Sequence, residues 1–235
     1  MTGAPPACFH EADPGIALAR RAAAEGAGTL LLAFAASAGG IAATRLLPGQ
    51  PGAAALFVAL AVAGALVALI VALGTLSGGH FNPLISFAQL LSGERTLPCA
   101  AAYIACQLAG GVAGGALGAA LWHAAPAGAG GLGPAGMASE FVASAGLMLI
   151  VLGSARSGRP ETGPFAVGAW LVAAIIATPT GSYANPAVVV GAVVAAGPVA
   201  LGAGSAPPYI AAEIAGTLFA LAIIAGLFPK KEPIA

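Results

Sequence analysis

Gly78-Gly79-His80-Phe81-Asn82-Pro83-Leu84 and Gly181-Ser182-Tyr183-Ala184-Asn185-Pro186-Ala187 decide the reading of this chain. Each sets Asn-Pro a few residues after glycine, in apolar surroundings, once in each half. A short apolar run follows each Asn-Pro, at about 83–92 and 186–196. Proline suits the first turn of a helix, where its missing N–H has no partner to lose. Each run is therefore predicted to be a half-helix that starts at Pro83 or Pro186, about 15 Å long at a rise of about 1.5 Å per residue. Two such pieces end to end match a hydrocarbon core of about 30 Å. Backbone that leaves regular structure inside lipid has to be buried in protein or line a wet cavity. Two breaks at matching positions of two halves point to a solute site near the midplane.

The surrounding sequence supplies the membrane. The 235 residues are 59% hydrophobic and 7% charged, against about 25% charged in a soluble domain. Six stretches approach the length that a crossing helix needs: roughly 25–47, 54–76, 98–122, 137–155, 164–180 and 208–228. Residues 1–22 are polar and irregular and are expected to form a loose tail; they lack the basic start and short apolar run of a cleavable signal. Residues 229–235 form a second tail, and 23–228 a single channel-like domain.

The halves echo each other, as repeats over about 23–122 and 137–228. Ala24-Glu25-Gly26 opens the first span and Ser139-Glu140-Phe141 the fourth, while Gln107-Leu108-Ala109-Gly110 resembles Glu213-Ile214-Ala215-Gly216. Three spans per half is an odd number, so the second copy enters the membrane from the other side, giving an inverted repeat. The fold class is thus an all-α membrane protein of six transmembrane helices and two re-entrant half-helices. With the amino terminus inside, Arg20, Arg21, Arg95, Arg156, Arg159, Lys230 and Lys231 fall on one face and Arg45 alone on the other. That asymmetry puts both termini in the cytoplasm and the loops 48–52, 123–136 and 197–207 outside.

Several function classes drop out. A formal net charge of zero leaves no footprint for nucleic acid. The cysteines, Cys8, Cys99 and Cys106, are odd in number and form no disulfide framework. Cys99 and Cys106 share one helical face and read as small packing residues. No metal-ligand spacing, nucleophile–base pair or phosphate loop stands out, so no catalytic residue, metal or cofactor is expected, and the chain does not read as an enzyme. Gly110, Gly111, Gly114, Gly115 and Gly118 in the third span allow close helix packing. His10 and His123 read as solvated.

The chemistry lies at the half-helix starts. Each amino end offers unpaired N–H groups and about half a positive charge, and two facing one cavity repel cations. Asn82 and Asn185 would cap these ends and present amide donors to a solute with lone pairs. A carboxylate in a span is costly. Glu25, Glu140 and Glu213 are therefore either a proton or ion relay, or a scaffold accepting loop N–H groups. The scaffold reading is preferred, because Glu25 and Glu140 occupy equivalent repeat positions. His80 either fixes its loop or lines the inner mouth.

These residues give the chain its likeness. Over about 23–228 it resembles the aquaporin (major intrinsic protein) family, through Ser77-Gly78-Gly79-His80-Phe81-Asn82-Pro83-Leu84, Thr180-Gly181-Ser182-Tyr183-Ala184-Asn185-Pro186-Ala187, the glutamates of spans one and four, and Gln107. The resemblance implies a right-handed bundle, a pore in each subunit, a homotetramer in the lipid bilayer, and passive flow of water or small neutral solutes. The chain departs from the family at Leu84, usually alanine there, and at Val188, usually arginine. By the same resemblance the selectivity filter falls on Val62, Ser182, Val188 and about Ala173, the last open to a slip to Ala174 or Ile175. None is aromatic or histidine, so a wide, apolar, uncharged filter is expected.

The expected activity is passage of glycerol-like polyols, urea or undissociated metalloid acids such as arsenous and methylated arsenic acids, with water. Filters without the arginine resemble those of bacterial aquaglyceroporins, which implies a bacterial inner membrane. The alternatives are a strict water channel, a proton-coupled transporter working through the glutamates, and a structural membrane protein with a closed pore.

Overall fold

The structure, a computed structural model, describes residue 9 and residues 15–125, 131, 133–156 and 160–228. Among them are the helices α1 (Leu18–Leu46), α2 (Pro51–Ser77), α3 (Pro83–Leu91), α4 (Leu97–Leu121), α5 (Gly133–Arg156), α6 (Gly163–Ala177), α7 (Pro186–Val194) and α8 (Ala206–Leu227). The order of two long helices, one short and one long occurs twice. α3 and α7 have 9 residues each, about 13 Å of helix. Among the described residues, five helices are long and apolar enough to cross a membrane.

α6 is the exception, with 15 residues, or about 22 Å. Its apolar run extends to about residue 180 in the sequence. Pro179 follows Thr178, and a residue before proline is driven out of the α region; Thr178 is extended at φ −105° and ψ 140°. α2 meets no such break and runs to Ser77. The segment between α6 and α7 is consequently longer than the one between α2 and α3.

Packing follows the repeat. α1 lies against α4 as α5 lies against α8, α2 pairs with α6, and α7 rests on α4 while α3 touches α8. Large apolar side chains such as Leu60, Val71 and Phe165 face outward, which suits lipid. The polar residues are inside: Glu25, Gln107, Glu140 and Glu213 have 0% exposure. Where α4 meets α7, Gly191 lies so close to the Gly111 carbonyl that a Cβ would enter its contact radius, and a Cβ on Gly111 would do the same to Ala187.

Two expectations need revision. Residues 1–22 are not uniformly loose. Phe9 is 3% exposed, and its carbonyl accepts hydrogen bonds from His80 Nε2 at 2.9 Å, Gln89 Nε2 at 3.0 Å and Arg95 Nη2 at 3.4 Å; α1 already begins at Leu18. Arg95, counted above as a loop charge, is buried and also donates to Gln89 Oε1 at 2.8 Å. Cys99 is buried, with its Sγ 3.9 Å from both Arg21 Nη1 and Arg95 Nη1. Cys8, His10, Arg159, Lys230 and Lys231 lie outside the described residues.

Candidate functional site

Asn82 and Asn185 sit at the starts of the two half-helices, each followed by proline in the first turn. Asn82 Oδ1 accepts from Leu84 N at 2.9 Å, and Asn185 Oδ1 from Ala187 N at 3.0 Å. These are N-cap bonds, each satisfying one of the unpaired N–H groups of a helix start. The amide nitrogens then cross between the halves. Asn82 Nδ2 donates to Ala184 O at 2.8 Å, and Asn185 Nδ2 donates to Phe81 O at 2.9 Å. Each crossing uses one hydrogen of an NH₂ group that has two.

The loops ahead of the asparagines are held by carboxylates. Glu25 Oε1 accepts from Ser77 Oγ at 2.6 Å and His80 N at 3.0 Å; its Oε2 accepts from Phe81 N at 2.6 Å and Gln107 Nε2 at 2.8 Å. In the second half, Glu140 takes Tyr183 N at 3.2 Å and Ala184 N at 2.7 Å, and Glu213 Oε1 takes Asn185 N at 2.8 Å. Backbone N–H groups buried without a partner cost roughly 1–3 kcal/mol each, which accounts for carboxylates at this depth. His80 both fixes its loop and lines the cavity. Its Nδ1 is 2.9 Å from Ser86 Oγ. Because the Phe9 carbonyl only accepts, His80 Nε2 carries a hydrogen.

Beside the crossing runs a cavity of about 400 Å³. Two stripes at helical spacing form its walls: Val58, Val62, Leu66 and Ile70 from α2, and Val167, Leu171 and Ile175 from α6. Asn82, Ser182, Asn185 and Val188 also line it, and Phe9 lies at the Ile70 end. Among the described residues, no Asp, Glu, Lys or Arg lines it. Ser182 Oγ is buried and has no hydrogen-bond partner among the described residues.

Of the residues selected from sequence as filter positions, Val62, Ser182 and Val188 come together on this cavity. Ala173 does not: it is exposed on the outer side of α6, and Ile175 lines the cavity instead. The difference is one of register, and Ile175 is one of the slips that the count from Asn185 leaves open. A slip of two residues turns a helical side chain by about 200°, and the helix end at Pro179 defeats ungapped counting back from Asn185. Leu84 and Ala187 are buried under the half-helix starts, and neither lines the cavity. Tyr103, whose hydroxyl donates to Ser77 O at 2.8 Å, went unnoticed because a lone tyrosine in a span carries no motif.

A model of the major intrinsic protein family matches residues 15–196. The chain belongs to the major intrinsic protein family. It is 36% identical over 221 residues to the aquaglyceroporin AqpS of Rhizobium meliloti (strain 1021), covering 92% of this chain and 94% of that protein. To aquaporin TIP1-2 of Zea mays it is 34% identical over 196 residues, 76% of each. The X-ray structure of the aquaglyceroporin from Plasmodium falciparum shares the fold, with a TM-score of 0.70 over 90% of this chain and 97% of that one at 18% identity. Like other major intrinsic proteins, the chain is an integral membrane protein, and the family is one of channels for water and small solutes.

Proposed function

We propose that this protein is a passive channel for neutral solutes of about glycerol size, with water: polyols, urea and undissociated metalloid acids such as arsenous acid. The observation that carries the reading is the lining of the cavity, which Val62, Ile175 and Val188 share with Ser182 and into which no described charged group intrudes. These four residues form the selectivity filter. Selectivity in such pores follows diameter, lining donors and electrostatic barriers. A filter of valines and an isoleucine lacks the fixed donors that would favour a lone water over a solute with an apolar backbone. The name of the AqpS relative, an aquaglyceroporin, supports the same solute class.

Coupling to protons is disfavoured, because Glu25, Glu140 and Glu213 hold backbone N–H groups and do not line the cavity. The protein acts without catalysis or a cofactor, as a homotetramer with one pore per subunit. It lies in a bacterial inner membrane with both termini cytoplasmic, as its basic residues suggest.

Stopped-flow measurements on liposomes, with water, glycerol, urea and arsenous acid compared side by side, test the reading. Passage of the larger solutes at rates well above those of empty liposomes is expected. Acceleration of water alone would overturn it.

A further inference from the structure

The two loop-holding corners occupy the same place in the two halves but differ in one hydrogen. The match is geometric. Gly110, three residues after Gln107, packs against the carbonyl of Gly26, the neighbour of Glu25; Gly216, three residues after Glu213, packs against the carbonyl of Phe141, the neighbour of Glu140. Gln107 and Glu213 therefore face Glu25 and Glu140 from equivalent positions.

In the first half both oxygens of the glutamate are supplied with donors, and the atom left buried without a partner among the described residues is the neutral Gln107 Oε1. Glu25 receives four hydrogen bonds, two on each oxygen, the last from Gln107 Nε2 at 2.8 Å, as an ionised carboxylate can. In the second half one carboxyl oxygen goes without. Glu213 Oε1 accepts from Asn185 N at 2.8 Å, but Glu213 Oε2 is buried and finds no hydrogen-bond donor among the described residues. The side chain it meets is Glu140, whose two oxygens hold Tyr183 N and Ala184 N. Two ionised carboxylates in contact at zero exposure repel without a counter-charge, and a buried polar atom without a partner is expensive. Among the described residues, the other ionisable groups acting on this corner are Tyr183 of the loop and Tyr209 of α8, which bring no positive charge.

We propose that Glu213 carries a proton and donates it to Glu140, so that a carboxylic acid does for the second loop what the Gln107 amide does for the first. Glu213 is then a positioning residue. It holds Asn185 N directly and, through Glu140, the Ala184 peptide whose carbonyl receives Asn82. The assignment is independent of which solute passes.

The test uses the full-length protein in liposomes. Glu213→Gln keeps an acceptor for Asn185 N and supplies a permanent N–H for Glu140, so it should leave solute permeability within about twofold of the unmutated protein. Glu213→Ala strands Asn185 N and takes from Glu140 the donor that the proposal assigns to it, and should lower permeability by about tenfold or more. Two further readouts would not move for a merely space-filling residue. At neutral pH the unmutated protein should show the infrared carbonyl stretch of a protonated carboxylic acid, and Glu213→Gln should abolish it. At alkaline pH the unmutated protein should lose thermal stability as the shared proton leaves, and Glu213→Gln should not. Absence of the infrared band at neutral pH, its survival in Glu213→Gln, or a Glu213→Gln protein as impaired as Glu213→Ala would each overturn the assignment. If Glu213→Ala does not fold, the infrared comparison of the other two proteins decides.

Discussion

Phe81 and Ala184 share one backbone conformation, left-handed at φ 48° and 44°, and each gives its carbonyl to the asparagine that follows the other. A non-glycine residue in this region pays roughly 1–2 kcal/mol. The strain is held by Glu25 on Phe81 N and by Glu140 on Ala184 N, and it turns each carbonyl toward the opposite loop. At position 184 a β-branched residue tolerates positive φ least. Ala184→Val should therefore lower stability by about 2 kcal/mol, whereas Ala184→Gly should stay within about 1 kcal/mol of the unmutated protein. Thermal unfolding in detergent reads both. Equal tolerance of valine and glycine would show that the left-handed turn is not what fixes the crossing.

Val188 sits where an arginine would narrow the cavity and add a donor. Val188→Arg should reduce glycerol permeability by about tenfold, equivalent to about 1.4 kcal/mol of added barrier, while water flow stays near that of the unmutated protein. Liposome stopped-flow separates the two solutes. A parallel fall in both would count against Val188 as a filter residue.

Ion exclusion should survive without that arginine. The amino ends of α3 and α7 meet at the asparagines and present positive partial charge, and an apolar lining supplies no ligands to replace an ion's water. No appreciable sodium or proton current is expected in planar bilayers. Asn185→Asp removes the donor to Phe81 O, which should lower stability by roughly 1–3 kcal/mol, and places negative charge at the helix starts, which should admit a cation current. A cation current in the unmutated protein would refute the dipole barrier.

Phe9 meets the cavity through its ring, while its carbonyl holds His80, Gln89 and Arg95. Phe9→Ala changes only the ring, so the loop should stay in place while the Ile70 end of the cavity widens. Solute permeability should rise, accompanied by a stability loss of up to about 3–5 kcal/mol. Unchanged permeability in a folded Phe9→Ala protein would mean the ring does not limit flow.

The half-helices, their asparagine caps and the buried glutamates were legible in sequence because each leaves a chemical mark: a proline that fits only a first turn, or a carboxylate that lipid would reject. Ile175 was legible only as one of three alternatives, because a helix lining a cavity is as apolar as one facing lipid, and only register separates Ile175 from Ala173. The docking of Phe9 was hidden for another reason. Its anchor is a backbone carbonyl, which every residue carries, and its three donors come from residues 71 to 86 positions away. The contact of Gly111 with Gly191 was likewise invisible among many glycines, since closeness is a property of a pair.

The crossed asparagine bonds join residues 102 and 104 positions apart. At a synthesis rate of about 5–20 residues per second, roughly 5–20 s separate the emergence of Asn82 from that of Ala184. Throughout that interval the Asn82 amide and the Phe81 carbonyl have no native partner, in a setting where an unpartnered polar group is costly. The first re-entrant loop therefore cannot make its native crossing until the second has been synthesised, and the orifice is completed only with the second half. A ribosome stalled before residue 184 leaves behind helices without a hole.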